Sequence, residues 1–68
     1  MKFEYDKEVD AAYIYVADAI LPGESKKTIE LNNNIILDFD ANSKLIGIEI
    51  LDASKILNKN AIAQAELI

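Results

Sequence analysis

The residue types best suited to chemistry here are carboxylates. The run from Asp38 to Glu49 reads DFDANSKLIGIE and puts Asp38, Asp40, Asn42 and Glu49 at its first, third, fifth and twelfth places. Oxygen ligands in that spacing match a calcium-binding loop, where several hard oxygens surround one hard cation. The sixth place is Ser43, where the sharp bend of such a loop calls for glycine, and the flanks alternate with a period of two instead of forming helices. In a hairpin Asp38 and Asp40 share one face while Asn42 sits at the tip, which does not encircle an ion.

Two more groups carry carboxylates: Asp6, Glu8 and Asp10, and Glu49 with Asp52. Paired carboxylates bind Mg²⁺ or serve as acid and base in glycoside or phosphoester hydrolysis, provided a pocket of roughly 300 Å³ or more exists to hold a substrate. A plainer role competes, in which Asp6 and Asp10 fix turn backbone and Asp52 caps a helix. The polar cluster Asp38, Asp40, Glu49 and Asp52 is therefore the alternative candidate for a metal site or hydrolase.

Other chemistries are excluded by absent residue types. The chain has no His and no Cys, so it has no imidazole base, no thiol nucleophile, no zinc ribbon and no disulfide. Ser25, Ser43 and Ser54 consequently have no histidine partner for a nucleophilic triad. The 7 basic residues are all lysine, which removes the bidentate fork that grips phosphate and guanine. Tyr5, Tyr13 and Tyr15 are of a type that stacks bases, but that mode needs a positive field, and the net charge is −5. No catalytic residue, cofactor or metal ligand is assigned, and direct nucleic-acid binding is not expected.

The elements that position these residues follow from periodicity. Lys2 to Asp6 alternates polar and aromatic as a half-buried strand, and Ala11 to Ala17 is dense in β-formers. Pro22-Gly23 marks a turn, with proline fixing φ at the second position and glycine supplying positive φ at the third. Lys27 to Leu31 alternates again, and Asn32 to Asn34 suit the left-handed backbone of a tight connection. Ile35 to Asp40 and Leu45 to Leu51 are two more strands around an Asn42-Ser43 turn. After Asp52 the period becomes helical, with Asp52 as the expected cap; whether one helix runs to Leu67 or restarts after Asn58-Lys59-Asn60 stays open. Five strands joined by short links predict antiparallel pairing. The expected class is α+β: a single domain over residues 1–68, with a core over 1–57 and a helical tail over 58–68, in which a C-terminal α-helix packs on the sheet.

The alternation sorts the side chains. Phe3, Tyr5, Ile14, Val16, Ile29, Leu31, Ile35, Leu37, Phe39, Ile46, Ile48 and Ile50 fall on the face expected to meet the helix. The opposite face carries Glu4, Tyr13, Tyr15, Thr28, Glu30, Ile36, Asp38, Leu45, Glu49 and Leu51, a mixture too apolar for an ordinary wet surface. If strands two, four and five are neighbours, Tyr13, Tyr15, Ile36, Leu45 and Leu51 form a patch of the kind that marks an interface. A domain of 68 residues buries only about 60% of the surface of its unfolded chain, so a partner or self-association is expected. The N-terminus interleaves charge with aromatics and lacks the apolar core of a secretory signal, and no apolar run approaches the ~20 residues of a membrane span. A soluble, cytoplasmic chain without membrane contact is expected.

Three blocks carry a resemblance to a known family: Lys2-Phe3-Glu4-Tyr5-Asp6 with Asp10-Ala11-Ala12-Tyr13-Ile14; Ile35-Ile36-Leu37-Asp38-Phe39-Asp40; and Gly47-Ile48-Glu49-Ile50-Leu51-Asp52-Ala53-Ser54. In this order they resemble the small bacterial and archaeal family of unknown function DUF2283, over roughly residues 1 to 57. The chain departs from the family at two turns, with Lys7 where proline is usual and Asn42-Ser43 where Asp-Gly is usual. The resemblance implies a compact β-rich domain, often encoded beside other small proteins, some resembling toxins, and it implies no catalytic residues. The two-sided apolar pattern, the net charge of −5 and the missing catalytic residue types point to protein–protein interaction: self-association, most simply as a dimer, or binding of a basic partner, in the manner of an antidote to a toxin.

Overall fold

Strand formation follows the alternation closely. The computed structural model describes residues 1–68, with β1 at Lys2–Asp6, β2 at Ala11–Tyr15, β3 at Lys27–Glu30, β4 at Ile35–Phe39 and β5 at Leu45–Leu51. Two short helices follow, α1 at Ala53–Ile56 and α2 at Lys59–Ala63, and then a strand β6 at Glu66–Leu67. The sheet is open and six-stranded, in the order β3-β4-β5-β2-β1-β6. All pairings are antiparallel except β1 with β6. No helix is long and apolar enough to cross a membrane.

The turns rest on local polar chemistry. Asp6 Oδ1 accepts from the Glu8 amide at 3.0 Å between β1 and β2. Leu21 to Glu24 closes on a 3.0 Å hydrogen bond from the Glu24 amide to the Leu21 carbonyl, with Gly23 at φ 77° as the Pro-Gly pair requires. Between β4 and β5, Asp40 Oδ1 accepts from the amides of Asn42 at 2.9 Å and Lys44 at 3.0 Å, and Ser43 takes the left-handed conformation at φ 61°. The asparagine run behaves differently from expectation, since the left-handed non-glycine residues are Asp10, Ser43 and Asp52. Asn32 works through its side chain, Oδ1 accepting from the amides of Asn34 at 2.8 Å and Ile35 at 3.0 Å.

The C-terminal region settles the choice the sequence left open and adds a sixth strand to the expected five. Asn58 caps α2, its side chain accepting from the Ala61 amide at 2.8 Å, so the helix restarts there. With α1 and α2 between them, β5 and β6 are joined by a connection long enough to return the chain parallel to β1, which short links cannot do.

Helix cover is partial. Tyr5, Ala12, Ile50 and Ala53 form the buried cluster, with Phe3, Ile14, Ile48, Leu57, Ile62 and Ala65 packed against it. All the strand residues in this cluster lie on β1, β2 and β5. At the β3–β4 end of the same face the expected core is incomplete: Ile29 is 39% and Leu31 62% exposed, Ile35, Leu37 and Phe39 are half-buried, and Val16 is exposed beyond β2. The physical reason is reach, because helices of four and five residues are only about 6–8 Å long.

Candidate functional site

Asp10 lies at the meeting point of the first and third family-like blocks. Its left-handed backbone at the end of the β1–β2 turn directs its carbonyl to the Ala53 amide at 2.9 Å. Its carboxylate accepts from the Ser54 amide at 2.9 Å, the Ser54 hydroxyl at 2.6 Å and the Tyr5 hydroxyl at 2.7 Å. Asp10 is thus the residue that satisfies the start of α1, and Asp52 is not: Asp52 is itself left-handed, makes no capping bond, and accepts from Asn34 Nδ2 at 3.1 Å. A cap supplied from 44 residues away in sequence does what a neighbouring residue was expected to do. The hydrogen bonds from Ser54 and then from Tyr5 hold the Asp10 carboxyl below its ordinary value. The phenol of Tyr5 is raised above its ordinary value, first by its hydrogen bond to the Asp10 carboxylate and then by burial.

On the face opposite the helices the register sets up rows. Glu4, Tyr13, Glu49, Ile36 and Glu30 stand opposite one another across β1, β2, β5, β4 and β3, and Lys2, Tyr15, Gly47, Asp38 and Thr28 form the next row. The Tyr13 ring lies over Gly47 and reaches Asp38, whose Oδ2 accepts from the Tyr13 hydroxyl at 2.6 Å while Oδ1 accepts from Thr28 at 3.1 Å. Gly47 is buried, and a methyl group there would meet Tyr13 Cζ at 2.6 Å, so glycine marks a close approach. Burial first, and then the bond to Asp38, push the Tyr13 phenol well above its ordinary value. Tyr15 meets Tyr13 edge-on at 4.7 Å between centroids. Its phenol is raised first by Glu4 as hydrogen-bond acceptor and then by burial. Lys2 Nζ sits 5.6 Å from the Tyr15 centroid and 3.1 Å from Glu4 Oε2.

The patch of Tyr13, Tyr15, Ile36, Leu45 and Leu51 does occupy neighbouring strands, β2, β5 and β4. Its apolar members are diluted by Glu4, Asp6, Glu30, Asp38, Glu49 and Glu66, which share that face by strand alternation and register, against Lys2. Leu45 is exposed next to the register irregularity at Asp38 and Phe39.

The polar cluster Asp38, Asp40, Glu49 and Asp52 is dispersed. Asp38 is engaged by Tyr13 and Thr28, Asp40 by the β4–β5 turn, and Asp52 by Asn34 just past the far end of β5. Glu49 stands a row away from Asp38, opposite Tyr13. No group of three or more acidic residues has the arrangement that could hold a metal ion.

A concavity of about 210 Å³ opens instead beside Tyr13, with Glu4, Asp6, Glu49, Tyr15, Ala11, Val9 and Ile68 among its lining residues. Ala11 and the C-terminal Ile68 were not singled out from the sequence. Gly47 was legible as a lone glycine inside a strand.

An uncharacterized protein of Methanocaldococcus jannaschii is 45% identical over 58 residues, which are 85% of this chain and 46% of that protein. The chain therefore spans about half the length of that relative. No solved structure matches. Residues 2–54, from β1 to the serine that Asp10 holds, match the family described as a protein of unknown function, DUF2283, and the chain belongs to that family.

Proposed function

We propose that this domain is a protein-binding module whose acidic, tyrosine-bearing face receives a basic side chain of a protein partner. The observation that carries this is the concavity beside Tyr13. Glu4, Asp6 and Glu49 line it, no lysine does, and Glu49 forms no ion pair within the chain. At about 210 Å³ it is smaller than the ~300–1,000 Å³ of small-molecule sites, and it suits a single lysine or arginine side chain. The chain carries an internal example of the same recognition, since Lys2 stacks toward Tyr15 and pairs with Glu4 on the adjoining row. An antidote to a basic toxin is one biological form of such a module.

A labelled octa-arginine peptide titrated against the 68-residue chain tests this through tyrosine fluorescence and peptide anisotropy. Binding is expected to weaken about tenfold in Glu4→Gln/Glu49→Gln, the loss of charge-assisted contacts. The charge-matched control Asp18→Asn/Glu24→Gln is expected to bind as the parent does. Equal weakening by both pairs, or no binding, would overturn the proposal.

A further inference from the structure

The sheet has a second unfinished surface, on its other side. The accessible surface is 4804 Å² for a mass of 7.6 kDa, whereas a folded monomer of that mass exposes about 4,300 Å². The radius of gyration is 11.9 Å, against about 11 Å for a compact chain of this length. Both excesses fit a helical layer that stops short of β3 and β4, where Ile29, Leu31, Ile35, Leu37 and Phe39 are left exposed or half-buried.

We propose that this bare half of the helix-bearing face, centred on Ile29, Leu37 and Phe39, is the contact through which a second copy of the chain docks about a two-fold axis. Area is the first reason. The chain-wide excess of about 500 Å² per copy corresponds to about 1,000 Å² between two copies, the lower limit of a biological contact and the size of one that dissociates on dilution. Charge is the second. By register and alternation Lys27 is the one charged residue that β3, β4 and β5 place on this face. It lies on the edge strand, where its ammonium extends to water while its stem covers apolar surface. The opposite face, with Glu4, Asp6, Glu30, Asp38, Glu49 and Glu66, repels its own copy in a chain of net charge −5. Two copies therefore meet apolar half to apolar half. Lys27 also disfavours the competing mode, edge-to-edge extension through β3, because a charge on the inward side blunts strand addition. The contact is closed and isologous, so it ends at two subunits.

Sedimentation equilibrium of the full chain across the micromolar range decides the matter. The parent is expected to be a dimer that dissociates on dilution. Ile29→Glu/Leu31→Glu is expected to raise the dissociation constant a hundredfold or more (about 100-fold per two lost anchors) with an unchanged circular dichroism spectrum. Leu31→Glu alone, at a residue 62% exposed, guards against misfolding of the double variant and is expected to weaken the dimer in the same direction. Glu49→Gln, on the other face, is expected to leave the dimer intact. A parent that stays monomeric, including one that captures an apolar peptide on this strip, overturns the proposal. So does a dimer indifferent to both substitutions, or one dissociated by Tyr15→Glu instead.

Discussion

The two halves of the sheet are built from similar strands and end in different states. Over β1, β2 and β5 the face is roofed by α1 and α2, and Tyr5, Ala12, Ile50 and Ala53 are buried. Over β3 and β4 the alternation is just as regular, yet Ile29 and Leu31 remain in water. The roofed half owes its cover to Asp10, which ties the start of α1 to the β1–β2 turn and so fixes where the helices descend. Asn34 joins the start of β4 to Asp52, but no hydrogen bond from α1 or α2 themselves crosses onto β4 or β3. Alternating strands thus supply an apolar face along their whole width, while burial depends on what a few polar contacts pull across it.

Deleting the same side chain in each half is the most forceful test of this contrast. Ile50→Ala is expected to destabilise the domain by about 2–4 kcal/mol, comparable with the whole stability of a chain this short. Chemical denaturation should therefore show a largely unfolded variant.

Asp10→Asn addresses the tie itself. The Asp10 carboxyl is held below its ordinary value of 3.8 by Ser54 and Tyr5. The stability it contributes is therefore fully present above that value and disappears as pH falls through the lower folded value. Melting temperatures between neutral and strongly acidic pH are expected to fall with acid in the parent. In the variant they start lower and fall less over that acid window.

A third substitution probes the face away from the helices. Gly47→Ala places a methyl group against the Tyr13 ring, and the displaced phenol loses Asp38, at a cost of about 1–3 kcal/mol. The Tyr13 phenol is held above its ordinary value of 10.0, so its contribution is present below that pH and lost as pH rises through the folded value. Ultraviolet titration of tyrosinate is expected to show the most resistant phenol of the parent ionising earlier in Gly47→Ala.

The smallest effect belongs to the bare half. Ile29→Ala, at a residue 39% exposed, is expected to cost less than about 1 kcal/mol in the monomer. Chemical denaturation at sub-micromolar chain concentration measures it. A cost equal to that of Ile50→Ala would erase the difference between the halves.

Legibility differed by the range of the interactions involved. Each of the first five strands was readable to within two residues, because alternation and the Pro22-Gly23 and Asn42-Ser43 turns are properties of adjacent residues. The membership of the Tyr13 and Tyr15 face, acidic residues included, was readable from alternation, but that its strands are neighbours depended on the pairing that brings Glu4, Tyr13, Glu49, Ile36 and Glu30 into one row. The calcium-like spacing of Asp38, Asp40, Asn42 and Glu49 was real in one dimension and scattered by the hairpin in three.

Composition and local pattern by themselves determined the α+β class, the strand positions, the acidity and the lack of His, Cys and Arg chemistry, since each is carried by single residues or their immediate neighbours. Only the tertiary structure decided that Asp10 and not Asp52 starts α1, that Glu66 and Leu67 return beside β1, and that the helices stop before β4. Those outcomes depend on groups far apart in sequence competing for the same hydrogen bonds and the same apolar area, and a local pattern carries no record of who wins.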